Sequence, residues 1–503
     1  MDILQNITLH LIRGDNEKAL ELCNNVINNI QKPHPYFSDF YNLRGMINIR
    51  FKKYEEAFDD YNTAIKLNPY NQISYFNISI AKHDLGLYQE SIEAFLQCSK
   101  LDKYLKYNYI NQVISLYIWN YNSDTIEDIF KILSEDKYND LWRKDITFNL
   151  LNSIISKYLK NSENKNILKD IKNILLYEYF LLQVLSLYFI IIHTKNNNIE
   201  VAHYTSMDTL LKLIDSKESR IRITNISNAN DPKEGKILEN IFNKNGLNIK
   251  IKNEENLITL QTSFSRNKDA LTMFRLYGKK ENKEATGVCL CIDKNYFNCE
   301  PISLASPMQM MSDYRKGINN LYFILYYNES KNQLIFNPTD SKYSNIIVDL
   351  NKYCRLKVNK IIDEKIENII NYIFCKIFNF AEKIDNQIEN KNLKDEIFSN
   401  LFENIRYIIK HEAFFEEQEL RMLITTDYKN ENINIEEDKK RLYINYNELF
   451  NENENFIKEI ILGGKIKNKE LMADYIKQII YNKYKDNDKM NKIKVSISQA
   501  PLR

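Results

Sequence analysis

Apolar and small residues recur at a spacing of 34 residues near the N-terminus. A shift by 34 places large side chains on large ones and small ones on small ones: Tyr41 on Tyr75, Gly45 on Ser79, Phe51 on Leu85, Tyr54 on Tyr88, Ala57 on Ser91, Tyr61 on Phe95, Ala64 on Cys98 and Leu67 on Leu101. A two-helix unit with this pattern cannot bury its apolar face alone and must stack on a neighbour. The pattern therefore predicts an all-α helical solenoid over residues 1–105.

The second repeat resembles the tetratricopeptide (TPR) family. Its aromatic, small and large positions are Tyr41, Gly45, Phe51, Tyr54, Ala57, Tyr61 and Ala64, followed by Pro69. Gly45 and Ala57 allow the two helices to approach closely, and Pro69 ends the second helix because it has no N–H to donate. The third repeat keeps the pattern with Lys103 in place of the proline, and a degenerate repeat with an insertion precedes both.

The resemblance implies a concave groove that binds a protein or peptide partner. The first-helix positions expected to face the groove are Asn42, Ile49, Arg50, Asn77, Lys82 and His83. Asn77 lies where peptide-carboxylate clamps of this family have an asparagine, but the partner lysine is absent at Asn42. A C-terminal carboxylate is therefore not the expected ligand.

Residues 106–195 keep a helical period but lose the repeat spacing, so we interpret them as further helical pairs or capping and connecting helices. Within them, the segment 174–192 has Glu178 as its only charged residue. A membrane span needs about 20 apolar residues, whereas shorter apolar stretches are more often buried core helices. Both interpretations stay open, and the buried helix is favoured because helices inside large proteins are also apolar all round.

The pattern changes after the polar run at 195–198. Runs typical of β-strands occur at 201–205, 220–224, 257–264, 287–292, 321–327, 420–425, 457–462 and 493–497. Helical stretches separate them, including a long one across about 352–412. Strands and helices without regular βαβ alternation predict an α+β domain with a mixed or antiparallel sheet over residues 200–503.

Composition narrows the function classes. The chain has 503 residues, enough for two or three domains, and its 69 Lys+Arg against 67 Asp+Glu leave a net charge of +2. So small a net charge gives no field that would steer the chain to nucleic acid. Seven cysteines without framework spacing indicate a reducing compartment, and the first residues lack a signal-peptide pattern, so we expect a cytoplasmic protein.

Residues 200–503 resemble a bacterial family catalogued as domain of unknown function 2971. The resemblance rests on six pieces that occur in order, at 203–206, 230–234, 263–265, 273–277 before 287–288, 417–421 and 460–463. Because that family has no established activity, the resemblance places the domain but implies no reaction.

The strongest catalytic candidate is His203, which follows Val201 and Ala202 near the end of a predicted strand. Side chains at strand ends can project into a cleft, and histidine can donate or accept a proton near neutral pH. The alternative is a partly buried histidine whose ring is satisfied by a backbone carbonyl.

Residues 230–234 read Asn-Asp-Pro-Lys-Glu. Asp231 can cap a helix, Pro232 can take its first position, and Glu234 can complete a capping box. In the alternative, Asn230 or Glu234 faces a ligand at the helix N-terminus, a place that also suits an anion.

Two carboxylates precede the strand predicted at 420–425. Glu417 and Glu419 point the same way if the backbone is already extended, and Arg421 shares their face. This group can stabilise a developing cation or act as a general base. Alternatively, it is a solvated row of ion pairs at a strand edge.

A histidine on the first strand, hydroxyl residues on a middle strand and a Glu-x-Glu pair entering a late strand resemble the ADP-ribosyltransferase arrangement. The resemblance implies NAD as substrate, with His203 holding the ribose, Tyr204 or Tyr277 stacking on nicotinamide, Ser263 and Ser265 as the hydroxyl residues, and Glu419 polarising the ribose. The chain departs from the arginine class in having His203. It departs from the histidine class in having Ser263-Phe264-Ser265 where a tyrosine is expected.

Cys289 and Cys291 share one face of the strand predicted at 287–292. A zinc site would need a second pair at suitable spacing, which the sequence lacks, so we expect buried small hydrophobes and no metal.

The sequence leaves two functions open. In the first, the solenoid recruits a protein, and the C-terminal domain is an enzyme that modifies that protein or a nucleotide. In the second, the chain is a non-enzymatic scaffold or ligand sensor in which both halves only bind partners.

Overall fold

The computed structural model describes residues 2–29, 36–101, 123–159, 161–186, 201–215, 219–225, 234–253, 256–277, 283–297, 321–337, 346–351, 365–450, 456–484 and 492–500. The chain forms two compact units. Among the described residues, the first unit runs to Asp145 and the second begins at Ile146. The division falls inside the segment 106–195, which the sequence groups as capping or connecting helices.

The described part of the first unit consists of helices. They are α1 (Asp2–Arg13), α2 (Asn16–Asn29), α3 (Phe37–Arg50), α4 (Tyr54–Leu67), α5 (Gln72–Asp84), α6 (Tyr88–Leu101), α7 (Ser123–Leu133) and α8 (Asn139–Trp142). Helix α3 packs on α4 and α5 packs on α6, and α6 starts 34 residues after α4. The predicted helical solenoid is confirmed.

Small residues let the helices of the second repeat meet. A Cβ at Gly45 would lie 2.6 Å from the Tyr61 ring, so the approach of α3 to α4 requires glycine there. Ala57 and Ala64 are fully buried in the same repeat. Helix α4 ends at Leu67 before the extended residue Asn68, as expected for the residue that precedes Pro69.

Helices of the second unit flank its sheets. They are α9 (Ile146–Tyr158), α10 (Asn161–Leu185), α11 (Met207–Asp215), α12 (Ile237–Lys244), α13 (Leu271–Leu276), α14 (Ile366–Gln387), α15 (Lys391–Leu401) and α16 (Lys469–Tyr484). The apolar part of α10 packs along α14, where Tyr177 meets Tyr372 edge-on with ring centroids 6.0 Å apart. The described part of the apolar segment is thus a buried helix. Among the described residues, no helix is long and apolar enough to cross a membrane.

Two sheets form the rest of the second unit. The strands are β1 (Val201–Thr205), β2 (Arg220–Asn225), β3 (Leu257–Ser265), β4 (Val288–Ile292), β5 (Leu321–Phe323), β6 (Leu325–Asn328), β7 (Gln333–Phe336), β8 (Ile346–Asp349), β9 (Ile409–His411), β10 (Glu419–Asp427), β11 (Asn434–Glu436), β12 (Arg441–Glu448), β13 (Ile457–Leu462) and β14 (Lys494–Ile497). The larger sheet has the order β11-β12-β2-β3-β1-β4-β13-β14, with β10 between β3 and β5, and the smaller has the order β8-β7-β6-β9. Most pairs are antiparallel, while β13–β14 and β6–β9 are parallel. The predicted α+β class with a mixed sheet is confirmed.

The structure corrects the prediction of a long helical stretch across about 352–412. Residues 352–364 lie outside the described part of the chain, α14 ends at Gln387, and α15 ends at Leu401. Asn390 caps α15 by accepting hydrogen bonds from two backbone N–H groups, which separates it from α14. The buried residues 402–408 form 3-10 turns that lead into β9. An apolar period alone does not reveal such an internal cap.

The larger sheet splits along β3. Strand β10 pairs with β3 along one edge, over its whole length. Strands β2 and β1 share the other edge, where β2 pairs at 260–261 and β1 pairs at Ser265. Among the described residues, no strand pairs with 262–264 on that edge. The split leaves an opening between β1 and β2.

Candidate ligand-binding cleft

A cleft of about 700 Å³ lies at the split between β1 and β2. Its lining residues are His203, Tyr204, Thr205, Thr209, Lys212, Leu213, Arg220, Ile221, Arg222, Thr224, Asn225, Glu234, Gln261, Thr262, Ser263, Tyr277, Lys410, Glu419, Arg421, Glu436, Lys439, Arg441, Tyr443 and Asn445. Seven of them are Lys or Arg and three are Glu. The cleft therefore has an excess of positive charge, although the whole chain is nearly neutral, and it attracts anions.

Glu419 and Arg421 line the cleft with buried side chains. Residues two apart on a strand share a face, and Arg421 Nε and Nη2 donate to the two oxygens of Glu419 at 2.7 and 3.0 Å. Ser263, which pairs with Arg421 across the sheet, also hydrogen-bonds to Glu419. Burial alone would raise the pKa of Glu419. The charges of Arg421 and Lys410 outweigh burial and lower this pKa to about 2.

Lys410 joins a second glutamate to this pair. Its Nζ donates to Glu417 Oε2 at 2.6 Å and to Glu419 Oε2 at 3.0 Å. Burial raises the pKa of Glu417, and the charge of Lys410 offsets only part of that effect. Glu417 Oε1 is buried and has no hydrogen-bond partner among the described residues. The network thus holds one carboxylate firmly ionised and another that is easier to protonate.

The backbone between the two glutamates differs from the expectation. Glu417 ends a 3-10 helix, and Gln418 has a left-handed φ of 45°. The condition of an already extended backbone is therefore not met, and the carboxylates meet because both bind Lys410. The alternative of a solvated row at a strand edge is also wrong, since β10 lies between two strands and these side chains are buried.

Glu234 supplies a third carboxylate, which accepts a hydrogen bond from Arg421 Nη1. It lies in a turn before α12, and Gly235 after it has a φ of 73°. Glu234 therefore does not complete a capping box in a helix that begins at Pro232. Asn230 and the rest of 230–233 lie outside the described residues.

His203 lines the cleft from the open edge of β3. Its Nδ1 lies 3.2 Å from the carbonyl oxygen of Ser263, and because a carbonyl only accepts, Nδ1 carries the proton. Burial lowers the pKa of His203 more than this bond raises it, which favours the neutral ring. The β1–β3 register places the ring on the Phe264 side of the sheet, with centroids 5.3 Å apart. Glu419 lies on the opposite side.

Tyr204, Ser265 and Tyr277 have contacts within the protein. The Tyr204 hydroxyl bonds two backbone groups of the loop 266–270, at 2.7 and 3.0 Å. The fully buried Ser265 donates to the carbonyl of Glu417 at 2.7 Å. Tyr277 OH lies 3.3 Å from Glu417 Oε2. Tyr204 and Ser265 thus brace the loop beside the cleft, while Tyr277 reaches the charge network.

Several residues of the cleft are not identified by the sequence analysis. Lys410 follows the apolar run Tyr407-Ile408-Ile409, and a lysine in such a run is a usable signal because buried charges need partners. Arg222 stacks on Tyr443 of the neighbouring strand, with its guanidinium carbon 4.3 Å from the ring centroid. The sequence does not predict this contact, because β12 is not among the predicted strands.

Two of the groove candidates lie inside the repeat stack. Asn42 Oδ1 accepts hydrogen bonds from Asn77 Nδ2 at 3.0 Å and from Ser74 Oγ at 3.1 Å. Both asparagines are buried, so they join α3 to α5 instead of facing the groove as expected. Polar residues at this interface satisfy one another, which a repeat pattern alone does not show.

The other groove candidates contribute unevenly to the surface. Arg50 Nη1 donates to the carbonyl of Leu11 at 2.6 Å and to Asn16 Oδ1 at 2.9 Å, which ties α3 to the preceding helices. His83 is buried with its ring beside Tyr88, against the expectation, whereas Lys82 is half-exposed.

A family model described as tetratricopeptide repeat matches residues 38–71 and 73–104. The two matches cover α3 to α6 and confirm the TPR resemblance of the second and third repeats. Repeats of this type present extended surfaces that bind other proteins. No curated protein matches the chain.

Proposed function

We propose that the protein is an adaptor with a ligand-binding cleft. Its repeats bind a protein or peptide partner, and its C-terminal unit binds an anionic nucleotide of the NAD type. The observation that carries the proposal is the cleft at the sheet split, with its excess of Lys and Arg over Glu.

The cleft has the size and chemistry for such a ligand. Small-molecule sites have volumes of about 300–1,000 Å³, and the 700 Å³ of this cleft lies in that range. Tyr277 offers aromatic surface to a base, and Asn225 and Asn445 offer amide groups for hydrogen bonds. The cationic side chains then balance the phosphates.

A second candidate function is ADP-ribosyl transfer. With it we propose that residues 200–503 belong to the family catalogued as domain of unknown function 2971. Transfer is favoured by the ionised Glu419, which lines the cleft, although His203 reaches the cleft from the opposite face of the sheet. In this reaction the bond from ribose C1′ to nicotinamide breaks, and nicotinamide leaves with the electron pair. An acceptor oxygen or nitrogen then bonds to C1′ and loses its proton. The ionised Glu419 stabilises the positive charge that develops on the ribose.

The proposal includes a cytoplasmic location for the protein. The described cysteines, Cys23, Cys98, Cys289, Cys291 and Cys375, are all buried thiols that form no disulfide with one another. Buried free thiols suit a reducing compartment such as the cytoplasm.

NAD binding and nicotinamide release by the full-length protein test the two functions separately. The test variant is Glu419→Gln in the cleft. The control is Asp474→Asn, which removes an exposed carboxylate from α16. Saturable NAD binding by the wild type supports the cleft, and its absence removes the proposal. Nicotinamide release that Glu419→Gln abolishes and Asp474→Asn retains supports transfer. Equal release by all three proteins, or none, overturns the role of Glu419.

A further inference from the structure

A row of cations lies on one face of β2 and β12, at the side of the cleft. Arg220 and Arg222 are two residues apart on β2, and Arg441 lies on the same face of β12 in the paired register. All three line the cleft. Carboxylates of the protein balance part of this charge: Arg220 Nη2 donates to Glu448 Oε1 at 3.2 Å, and Glu436 lies opposite Arg441 in the β11–β12 register. We call Arg220, Arg222, Lys439 and Arg441 the rim.

A carboxylate of the protein already sits on this rim. Glu436 Oε1 lies 3.1 Å from Arg222 Nη1 and 3.0 Å from Lys439 Nζ, and the Glu436 side chain is 24% exposed. Exposed ion pairs contribute little to stability, so this carboxylate can be exchanged for another anion at small cost. Glu436 therefore marks a place where the rim holds negative charge.

Two buried polar atoms beside the rim have no hydrogen-bond partner among the described residues. They are the donor Arg220 Nε and the acceptor Gln261 Oε1, and both residues line the cleft. Gln261 pairs with Thr224 in the register of β2 and β3, next to the rim. Because buried polar atoms are nearly always hydrogen-bonded, these two atoms indicate a ligand with acceptor and donor groups.

The shape of the rim favours phosphate over a simple halide ion. Arg222 lies over the Tyr443 ring, which restrains the plane of its guanidinium group. A planar guanidinium offers two parallel N–H donors that match two oxygens of one phosphate. Arg220 lies two residues along the strand. Its Nη2 is bound to Glu448, and its Nε, which has no partner among the described residues, can donate to a second, adjoining phosphate.

We propose that the rim is a diphosphate subsite, and that Glu436 occupies the position of one phosphate in the free protein. Binding releases Glu436 from Arg222 and Lys439, and a ligand phosphate takes its place. The inference rests on the proposed nucleotide function of the cleft, and it adds where the diphosphate lies and which residue competes with it.

Titration calorimetry of the full-length protein tests this exchange, with inorganic pyrophosphate and NAD as separate probes. We expect Glu436→Gln to bind pyrophosphate several-fold more tightly than the wild type, and Arg222→Gln to bind it at least tenfold more weakly. Asp474→Asn makes the same charge change at a distant exposed ion pair and should leave binding within about twofold. Tighter binding by Glu436→Gln cannot result from misfolding.

The outcomes separate the subsite from the function of the cleft. Equal gains for Glu436→Gln and Asp474→Asn would mean that net charge alone acts, and they would overturn the subsite. NAD binding that neither Glu436→Gln nor Arg222→Gln changes also overturns it, while the cleft proposal survives. If Glu436→Gln and Arg222→Gln both change pyrophosphate binding but the protein does not bind NAD, the subsite is retained and the proposed function is removed. No binding of either probe removes both.

Discussion

The ion pair of Glu419 should make the free energy of unfolding of the second unit depend on pH. Glu419 is 4% exposed and shares its oxygens among Arg421, Lys410 and Ser263. Glu419→Gln keeps the shape of the side chain but removes its charge. The lost free energy should therefore be large at neutral pH and smaller in acid.

The magnitude follows from the two pKa values of Glu419. Its pKa is about 2 in the folded protein and 4.5 as the ordinary value, so the carboxylate stabilises the folded state above pH 4.5. That stability is lost as the pH falls toward 2. The difference corresponds to about 3 kcal/mol at pH 7 and about 1.5 kcal/mol at pH 3. We expect Glu419→Gln to lose about 2 kcal/mol more at pH 7 than at pH 3.

The assay must report on the second unit alone. Both tryptophans, Trp119 and Trp142, precede Ile146, so fluorescence follows the first unit. Hydrogen exchange of the amides in β10, corrected for the intrinsic rate at each pH, gives the required free energies. Asp474→Asn serves as control and should show no such dependence. An equal loss for Glu419→Gln at pH 3 and pH 7 would refute the electrostatic reasoning.

Further predictions concern the repeats, whose unfolding in urea is followed by tryptophan fluorescence. Arg44→Met leaves the buried carboxylate of Asp60 without the guanidinium that binds it at 2.6 Å, and should cost about 3–5 kcal/mol. Lys18→Met breaks only an exposed pair and should cost less than about 1 kcal/mol, so similar losses would contradict the role of burial. Gly45→Val forces side-chain atoms into the Tyr61 ring and should cost about 1–3 kcal/mol. An unchanged midpoint would show that α3 and α4 can separate freely.

The repeats could be predicted because their packing is local. The small residue Gly45 faces the large residue Tyr61 within the same helix pair. The same pair of positions recurs 34 residues later as Ser79 and Phe95, so the repeat spacing is visible in the sequence. The positions Asn42 and Asn77 were harder to place, because a polar residue on a repeat can face solvent or another repeat with the same spacing.

The cleft could be predicted only in part because its contacts join distant segments. Glu419 and Arg421 are two residues apart, and their pairing follows from the strand alternation. Glu234 reaches them from 187 residues away, and Lys410 comes from a strand that the helical period conceals. His203 was identified, but its face of the sheet depends on the register with β3, which the sequence does not specify.

Hydrogen exchange of the full-length protein with and without NAD tests the central claim most directly. NAD is added at about 1 mM, the upper end of the usual KM range of enzymes. If the cleft binds NAD, amides of β2, β3 and β12 should exchange more slowly, while those of α16 stay unchanged. Slower exchange confined to segments away from the split, or no change anywhere, would contradict the claim that this cleft is the ligand site.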